Sequence, residues 1–317
     1  MRILITGGNG YVGRALTRRL YYEHHVSVLD NLRQGKLRFS PNEEGQFALF
    51  HADLRDAAAV ERVIAETQPE VLIHLAAIHY IPECERHPDE AIAVNTLGTS
   101  NLLRACTPGT RFVFASTAAV YAVSDAPHVE SSSRIEPVDI YGLTKHHAED
   151  YVRYWAQANQ LDARIVRLFN VIGPGETNPH ILPAILAQIL KGRRTLRLGN
   201  CHTRRDYINV ADAAGGFAAV ALGGRHRGRV DVDVVNLGTG ESHSVYDLVD
   251  GLGMIIGEHL TIELDPERAR PSDRPCLVAD PSKMRHAYQW SPRSTLRDSL
   301  QDLWSNPDLP AELLERC

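Results

Sequence analysis

Short runs of apolar residues alternate along the chain with longer segments in which apolar residues recur every three or four positions. The apolar runs are rich in valine, isoleucine, leucine and phenylalanine, and they lie at residues 2–6, 26–30, 47–51, 71–76, 111–116, 163–170 and 232–238. Continuous runs of this kind predict strands buried on both faces of a parallel sheet. The wider spacing predicts amphipathic helices at residues 12–23, 56–68, 89–106 and 141–159. This alternation predicts an α/β fold with a doubly wound, Rossmann-type parallel sheet.

The regular alternation stops after residue 171, where glycine and proline become frequent. These residue types interrupt helices and strands. We therefore predict a Rossmann domain over residues 1–171, to which residues 207–240 return. Residues 172–206 and 241–317 are predicted to form a smaller α+β lobe, rich in loops and short helices, over the carboxyl ends of the strands, where such sheets bind ligands.

Composition and charge narrow the class of protein. The chain has 317 residues, of which 44% are hydrophobic, enough for a substantial core. Its net charge is -5, so it lacks the basic excess that binds nucleic acid. No apolar run approaches the roughly 18 residues that a membrane span needs, and no leader-like segment precedes the strand at residue 2. We expect a cytoplasmic protein with neither a nucleic-acid nor a membrane partner.

Cysteine and histidine give no sign of a metal site. The five cysteines are scattered without CxxC spacing, and the 15 histidines contain no HExxH motif. The odd number of cysteines also argues against a disulfide framework. We expect reduced thiols and no bound metal.

A glycine-rich turn joins the first predicted strand to the first predicted helix. In the sequence GGNGYVG, residues Gly7, Gly10 and Gly13 follow a GxxGxxG pattern. Glycines also form tight turns in proteins that bind nothing. A turn that opens a helix directly after a strand, however, presents free N–H groups and the helix dipole to a pyrophosphate. We predict a dinucleotide site, with Tyr11 and Val12 of the same turn among its contacts.

An acidic residue at the end of the second strand indicates which dinucleotide is bound. Asp30 follows Gly13 by 17 residues, where a carboxylate accepts hydrogen bonds from the hydroxyls of an adenosine ribose. It would repel the 2′-phosphate of NADP, and the next two positions, Asn31 and Leu32, are not arginines. We predict NAD as the cofactor, with Asn31 beside it.

Two residues after the third strand have two possible roles. Asp53 and Leu54 stand where they could contact the adenine of the cofactor. Asp53 could instead cap the helix that begins near Asp56, because aspartate is a preferred capping residue. The sequence leaves both interpretations open, and we count Asp53 and Leu54 among the cofactor contacts.

A tyrosine and a lysine four residues apart provide candidate acid–base chemistry. Tyr141 and Lys145 share one face of a predicted helix. A phenol has a pKa of about 10, which a nearby ammonium group lowers. YxxxK also occurs by chance as a surface pair. Thr117 adds weight to the catalytic interpretation, because a hydroxyl at the carboxyl end of a central strand lies where open α/β sheets bind ligands.

These motifs together resemble the extended short-chain dehydrogenase/reductase family, and within it the nucleotide-sugar epimerases typified by UDP-galactose 4-epimerase. The resemblance extends over nearly the whole chain. The segments that carry it are residues 7–13, Asp30, 74–77, 95–103, 116–121, 141–145, 167–175, 205–212 and 236–240.

The resemblance implies a role for each matching residue. Thr117, Tyr141 and Lys145 would be the catalytic triad, with Tyr141 as base and Lys145 on the nicotinamide ribose. Further cofactor contacts are implied at Leu75, Ala76, Ala77 and Asn95. Substrate contacts are implied at His79, Thr117, Asn170, Arg205, Arg270 and Asp273. Arginine suits a diphosphate because its planar group donates two hydrogen bonds at once.

Departures from the family pattern favour one reaction over another. Ala118 and Ala119 stand where the 4,6-dehydratases carry an Asp-Glu pair, and alanine cannot exchange a proton. His79 replaces a lysine near the phosphates, and Leu277 aligns with a position that limits the size of the sugar pocket. The favoured function is NAD-dependent 4-epimerisation of a UDP-hexose, hexuronate or N-acetylhexosamine through a transient 4-keto sugar.

Other functions stay open. A nucleotide-4-keto-sugar reductase using NAD(P), or another nucleotide-sugar enzyme of the family, fits most of the motifs, and an NAD-sensing protein without activity has the same fold. Residues 198–200 also resemble the GDP- and CDP-sugar branch, which leaves the base open. Helices near residues 90–106 and 142–158 resemble those that pair in family homodimers, so we expect a homodimer.

Overall fold

A computed structural model describes residues 1–33, 37–176, 178–224, 232–268 and 274–309. Its strands are β1 Arg2–Thr6, β2 His25–Asp30, β3 Ala48–His51, β4 Val71–His74, β5 Arg111–Thr117, β6 Asp162–Leu168, β7 Asn170–Ile172, β8 Thr195–Leu198, β9 Arg204–Asn209, β10 Asp233–Leu237, β11 Ser242–Ser244, β12 Thr261–Leu264 and β13 Cys276–Leu277. Its helices are α1 Tyr11–Leu20, α2 Pro41–Glu44, α3 Ala57–Thr67, α4 Ile81–Arg86, α5 Pro88–Ile92, α6 Gly98–Ala105, α7 Ile140–Ala158, α8 Ile181–Leu190, α9 Val210–Leu222, α10 Val245–Ile256, α11 Ser282–Tyr288 and α12 Leu296–Ser305.

The seven predicted strands form one parallel sheet in the order β10-β6-β5-β4-β1-β2-β3. The predicted α/β fold with a doubly wound sheet is confirmed. The strand order reverses between β1 and β4, and ligands of such sheets bind at the carboxyl ends of the strands where the order reverses. The glycine turn leaves the sheet at this point, directly after β1.

Hydrophobic cores lie on both faces of the main sheet. Ile3 and Ile5 of β1 point into a core with residues of α1 and α9, and Leu4 between them points into the opposite core with residues of α3, α6 and α7. Successive side chains of a strand alternate between faces, so a run with no polar position requires apolar layers on both. The near-continuous apolar strands of the sequence have this cause.

The predicted helix over residues 89–106 is not continuous. It divides into α5 and α6, which are joined by a π turn at Ala93–Leu97. A π turn admits one extra residue per turn and is frequent at functional sites. The periodic pattern does not reveal it, because Ala91 before the turn and Leu102 after it are both buried as in a regular amphipathic helix.

The part of the chain after β6 contains more strands than its composition predicts. β9 pairs with β7, β11 and β13, and β8 pairs with β12. A core of its own links α8, α10 and α12 to these short strands. Strands of two to six residues give too little alternation to be recognised from sequence.

Strand β10 lies within residues 207–240, the segment that we predicted to return to the first domain. This strand pairs with β6 at the edge of the main sheet, and α9 before it packs on α1. None of the helices in the described ranges combines the length and the apolar character needed to cross a membrane.

Candidate active site

A cavity of about 800 Å³ extends from the glycine turn, past the ends of β4 and β5, to β7 and α8. Most of the residues predicted from the sequence lie on its wall. They are Gly7, Gly10, Tyr11, Val12, Gly13, Asp30, Asn31, Asp53, Leu54, Leu75, Ala76, Ala77, His79, Thr117, Tyr141, Lys145, Asn170 and Arg205. Arg270 and Asp273 fall outside the described residues.

The glycine turn packs so closely that side chains are excluded from it. Gly7 has a φ of +71°, and a Cβ there would lie 2.6 Å from the backbone nitrogen of Ala76. A Cβ at Gly13 would overlap the carbonyl oxygen of Gly7. Gly10, the N-cap of α1, provides no side chain to cap the helix. The first N–H groups of α1 are therefore available to an anion, as pyrophosphate binding requires.

Gly13→Ala is expected to destabilise the protein by about 1–3 kcal/mol and to reduce the amount of NAD that copurifies, because the methyl group forces the turn apart. Gly45→Ala is a matched control, since nothing lies within 4 Å of a Cβ at Gly45. Urea denaturation measures the free energy of unfolding, and release of nucleotide by acid measures bound NAD. Equal stability and NAD content in both variants would show that the close contact at Gly13 is unimportant.

Asp30 is held in place by backbone groups. The N–H groups of Asn9 and Leu32 donate to its carboxylate at 3.0 and 2.8 Å. Burial raises its pKa, while these two hydrogen bonds oppose the rise. Arg33, which also lines the cavity, donates to Glu83 at 2.5 Å and Glu90 at 3.4 Å. This arginine is thus occupied by carboxylates, which fits a site without a 2′-phosphate.

The structure removes one of the two possible roles of Asp53. Asp56 caps α3 by accepting from the N–H of Ala59 at 3.0 Å, so the interpretation of Asp53 as the cap is wrong. Asp53 instead accepts from the side chains of Asn31 at 3.0 Å and Arg55 at 2.7 Å. The hydrogen bonds from Arg55 hold the pKa of Asp53 well below its usual range. Asp53 and Asn31 therefore lie at the cavity wall as one bonded unit.

Asn95 is the exception among the predicted cofactor contacts, because it does not reach the cavity wall. It lies in the π turn and is fully buried. Its side chain accepts from the N–H of Ile78 at 2.8 Å and donates to the Ile78 carbonyl at 2.9 Å and to Thr144 at 3.0 Å. The prediction is corrected: Asn95 fixes the segment after β4, and Ile78 of that segment lines the cavity.

The three candidate catalytic residues meet at the end of β5. Thr117 is the last residue of β5, and its hydroxyl group is hydrogen bonded to Tyr141 in the first turn of α7. One turn further, the ammonium group of Lys145 donates to the carbonyl of Ala115 at 2.8 Å. A Cβ at Gly142 would lie 2.6 Å from the carbonyl oxygen of Ala119, so this glycine allows α7 to approach the strand end.

The pKa values of Tyr141 and Lys145 differ from what the sequence led us to expect. Burial raises the pKa of Tyr141, although its hydrogen bond with Thr117 opposes the rise. Burial also lowers the pKa of Lys145 to about 7. The expected lowering of the tyrosine pKa by a nearby ammonium is wrong for the protein by itself, because removal from water is the largest effect on Tyr141 and the carboxylate of Asp139 raises its pKa further.

Two of the residues predicted to contact the substrate lie on the part of the cavity wall that the small sheet forms. Asn170 begins β7, and Arg205 is in β9, which pairs with β7. Leu277 of β13 is the register partner of Arg205 and also lines the cavity. His79 is on the segment after β4. The fold thus brings distant parts of the sequence to one cavity.

A buried ion pair that sequence reasoning missed holds the start of α7. Arg274 donates to the carboxylate of Asp139 at 3.1 Å and to the carbonyl of Ala119 at 2.8 Å. Asp139 in turn caps α7 by accepting from the N–H of Gly142 at 2.7 Å. The two charged residues are 135 positions apart, so no local motif connects them. The pair links the chain after β12 to the helix that carries Tyr141.

Arg274→Leu is expected to destabilise the protein by about 3–5 kcal/mol, because it leaves the carboxylate of Asp139 buried without its partner. The combined variant with Asp139→Asn should recover part of that loss. Arg134→Leu is the matched control, since the Arg134–Glu136 pair is exposed and such pairs contribute about 1 kcal/mol or less. Urea denaturation of the four proteins tests this, and equal losses for Arg274→Leu and Arg134→Leu would contradict it.

A second buried network of hydrogen bonds stabilises the carboxyl end of β5. Glu149 is fully buried and accepts two hydrogen bonds from Arg167, at 3.0 and 2.8 Å, and one from Ser116 at 2.6 Å. Burial favours its neutral form, but Arg167, Ser116 and Arg153 together outweigh this and lower its pKa. Since Ser116 precedes Thr117, the network fixes the backbone that presents the catalytic hydroxyl.

Comparison with known proteins agrees with this geometry. Residues 3–238 match the NAD dependent epimerase/dehydratase family. UDP-glucose 4-epimerase of Corynebacterium glutamicum is 30% identical over 96% of this chain and 95% of its own. GDP-6-deoxy-D-talose 4-dehydrogenase of Aggregatibacter actinomycetemcomitans is 27% identical over 96% and 98% of the two chains.

A solved structure shows the same fold with a cofactor bound. UDP-glucose 4-epimerase of Thermus thermophilus, in complex with NAD, superposes with a TM-score of 0.84 and 29% identity, covering 96% of this chain and 98% of its own. The resemblance inferred from the motifs is thereby confirmed. This chain belongs to the NAD dependent epimerase/dehydratase family.

Proposed function

We propose that this protein is an NAD-dependent epimerase that inverts carbon 4 of a nucleoside-diphosphate sugar, with a UDP-hexose, hexuronate or N-acetylhexosamine as substrate. The observation that carries the proposal is the cavity, whose wall holds the glycine turn, Asp30, the Thr117–Tyr141–Lys145 group and Arg205. The presence of the proposed cofactor residues and of Arg205 on one cavity supports a sugar nucleotide bound between them.

The residues present fit NAD. Gly7 and Gly13 leave no side chain above the uncapped start of α1, and the Asp30 carboxylate is aimed by two backbone N–H groups. These groups suit a pyrophosphate and a ribose diol respectively. NAD bound here would supply the acceptor and donor of the sugar's hydride. We assign the adenine end to Asp53, Asn31 and Leu54 on the same wall.

The chain's own residues account for the proton transfers. Tyr141 takes the proton of the 4-hydroxyl group in its phenolate form as that carbon loses its hydride, and returns it when the opposite face of the 4-keto sugar is reduced. Burial raises the pKa of this phenol in the protein by itself, and the positive charge that NAD⁺ would bring into the cavity favours the phenolate. Thr117, bonded to Tyr141, anchors the reacting oxygen. Arg205 and Asn170 hold the phosphates while the sugar turns about its phosphate linkage. Each turnover leaves the cofactor unchanged, so no net oxidation occurs.

Dehydration of the sugar is disfavoured by the residues after Thr117. Ala118 and Ala119 line the cavity in a short 3₁₀ turn and carry no proton to donate. Reduction of a 4-keto sugar is the second candidate, and the similarity to GDP-6-deoxy-D-talose 4-dehydrogenase favours it. In that case Tyr141 would protonate the new hydroxyl group, and a cofactor would be consumed.

One experiment separates the two functions. The purified protein is incubated with UDP-glucose, UDP-galactose, UDP-N-acetylglucosamine and UDP-glucuronate, and separately with a GDP-linked 4-keto-6-deoxysugar as the acceptor a reductase needs, each without and with NADH or NADPH. Proton NMR of the anomeric signals detects 4-epimers, and the absorbance of the reduced nicotinamide detects cofactor consumption. We expect a 4-epimer from a UDP-sugar without added cofactor. Product formation only with stoichiometric consumption of reduced cofactor would replace the epimerase by the reductase.

We further propose a homodimer through α5, α6 and α7. Large apolar side chains on α5, on α7 and in the π turn are between 38% and 65% exposed: Ile92, Leu97, Leu143, Tyr151 and Tyr154. Exposed apolar residues clustered on neighbouring helices indicate a protein interface. If this surface packs against the same surface of a second chain, these apolar side chains become buried in a four-helix contact.

The double variant Leu97→Arg, Tyr154→Arg is expected to be a monomer, because the two arginines place unpaired charges in an apolar interface. Light scattering after size-exclusion chromatography gives the mass, which should fall from twice 35.2 kDa to 35.2 kDa. Met254→Arg is the control, since Met254 is 79% exposed on α10, outside these helices. A monomeric wild type, or a dimer that survives both substitutions, would contradict the proposal.

A further inference from the structure

Two histidines and a glutamate outside the Thr117–Tyr141–Lys145 group come together on the cavity wall. His79 follows β4, whereas Glu176 and His180 lie between β7 and α8. One ligand atom from each residue lies within 4.8 Å of the others. The imidazole rings of His79 and His180 face each other, with centroids 5.7 Å apart and planes inclined by 25°. The cluster therefore bridges two segments that are distant in the chain.

The Glu176 carboxylate is the buried member of the cluster. Glu176 is 8% exposed, and its carboxylate accepts a hydrogen bond from the N–H of Asn178 at 2.9 Å. The amide group of Asn178 also contacts the Nε2 atom of His79 at 3.2 Å. Asn178 thus holds both the Glu176 carboxylate and the ring of His79 in place. A buried carboxylate beside imidazoles attracts a cation.

We propose that His79, Glu176 and His180 form a binding site for a divalent transition-metal ion of the zinc type. Two imidazole nitrogens and one carboxylate oxygen are a typical three-residue ligand set for zinc, cobalt or iron. Such an ion binds its ligands at about 2.0–2.2 Å. The three ligand atoms lie within 4.8 Å of one another, so binding at this distance requires the side chains to turn toward the ion. The fourth position opens to the cavity that all three residues line.

The spacing of the three ligands along the chain explains why no sequence motif indicated a metal site. Glu176 and His180 are four residues apart, but the third ligand, His79, is about a hundred positions earlier. No HExxH or CxxC spacing is involved. A bound ion would join the segment after β4 to the segment before α8. It should therefore raise the melting temperature, since it binds the folded chain alone.

Cobalt titration of the wild-type protein tests the site directly. The protein is treated with EDTA, dialysed and titrated with Co²⁺, whose visible absorption reports coordination, and Zn²⁺ is then added as competitor. We expect one ion per chain, displacement of cobalt by zinc and a higher melting temperature with either metal. The titration needs no turnover, so it stands apart from the proposed epimerase activity. Absence of binding at millimolar Co²⁺ would overturn the inference.

Substitutions locate the ion. His79→Ala, Glu176→Gln and His180→Ala are each expected to weaken binding at least tenfold, whereas His259→Ala, at an exposed histidine after α10, should change it by less than twofold. Melting curves without metal show whether each variant is folded. X-ray absorption of the zinc-loaded wild type gives a second measurement, with two imidazole ligands expected. Binding by all three variants as tight as wild type, or a zinc ion without imidazole ligands, would refute the site.

Discussion

Tyr141→Phe is expected to lower turnover by about 10³-fold or more while the protein still binds NAD. The substitution removes only the hydroxyl group, which exchanges the substrate proton and is hydrogen bonded to Thr117. A positioned acid–base group contributes typically 10²–10⁴-fold. The ring stays in place at the cavity wall, so binding of the cofactor and of the sugar nucleotide should change little.

The measurement compares initial rates of epimer formation and the NAD content of purified wild type and variant. Tyr22→Phe is the control, because Tyr22 is 78% exposed and is not part of the cavity wall. Turnover of Tyr141→Phe within tenfold of wild type would remove this tyrosine from the mechanism. A loss of bound NAD together with turnover would instead indicate a role in cofactor binding.

Lys145→Met is expected to abolish turnover and yet to stabilise the fold at pH 6 by on the order of 3 kcal/mol. Burial lowers the pKa of Lys145 to about 7 in the folded protein, whereas an unfolded lysine titrates near about 10.4. Below pH 7 the folded protein must therefore carry a buried charge. Methionine has a similar shape and carries none, although the carbonyl of Ala115 loses its hydrogen bond.

The lowered pKa of Lys145 predicts how the stabilising effect of Lys145→Met changes with pH. Between about pH 7 and pH 10 the unfolded chain binds more protons at Lys145 than the folded chain, so the free energy of unfolding of wild type rises with pH there. The advantage of Lys145→Met should therefore shrink across this window and vanish near pH 10. Urea denaturation of both proteins at pH 6, 8 and 10 measures it. A constant difference across these pH values would contradict the lowered pKa.

The features that were predicted correctly from the sequence depend on residues that are close together in the chain. The strand alternation, the glycines that open α1 and the position of Asp30 after β2 follow from neighbours in the chain. The same holds for Tyr141 and Lys145, which share one helix face wherever that helix packs. Their grouping with Thr117 was implied by the resemblance to the family and does not follow from the spacing of these residues.

The parts that could not be predicted depend on contacts between distant residues. Asn95 has the polar side chain of a contact residue, but the π turn directs it to the backbone of Ile78 rather than into the cavity. The pKa of Tyr141 depends on how deeply the phenol is enclosed, which sequence does not reveal. Arg274 finds its buried partner Asp139 only after the chain between them has folded.

The late position of β10 in the chain has a consequence for biosynthesis. β6 leaves the ribosome long before β10, which covers its outer edge, because the residues between them include β7, β8, β9, α8 and α9. Until residue 237 is available, the nascent sheet ends in an unpaired apolar strand, and such an edge can join to other chains. Parallel pairings between distant segments also form slowly. The growing polypeptide therefore exposes an edge strand of its sheet until the seventh strand docks.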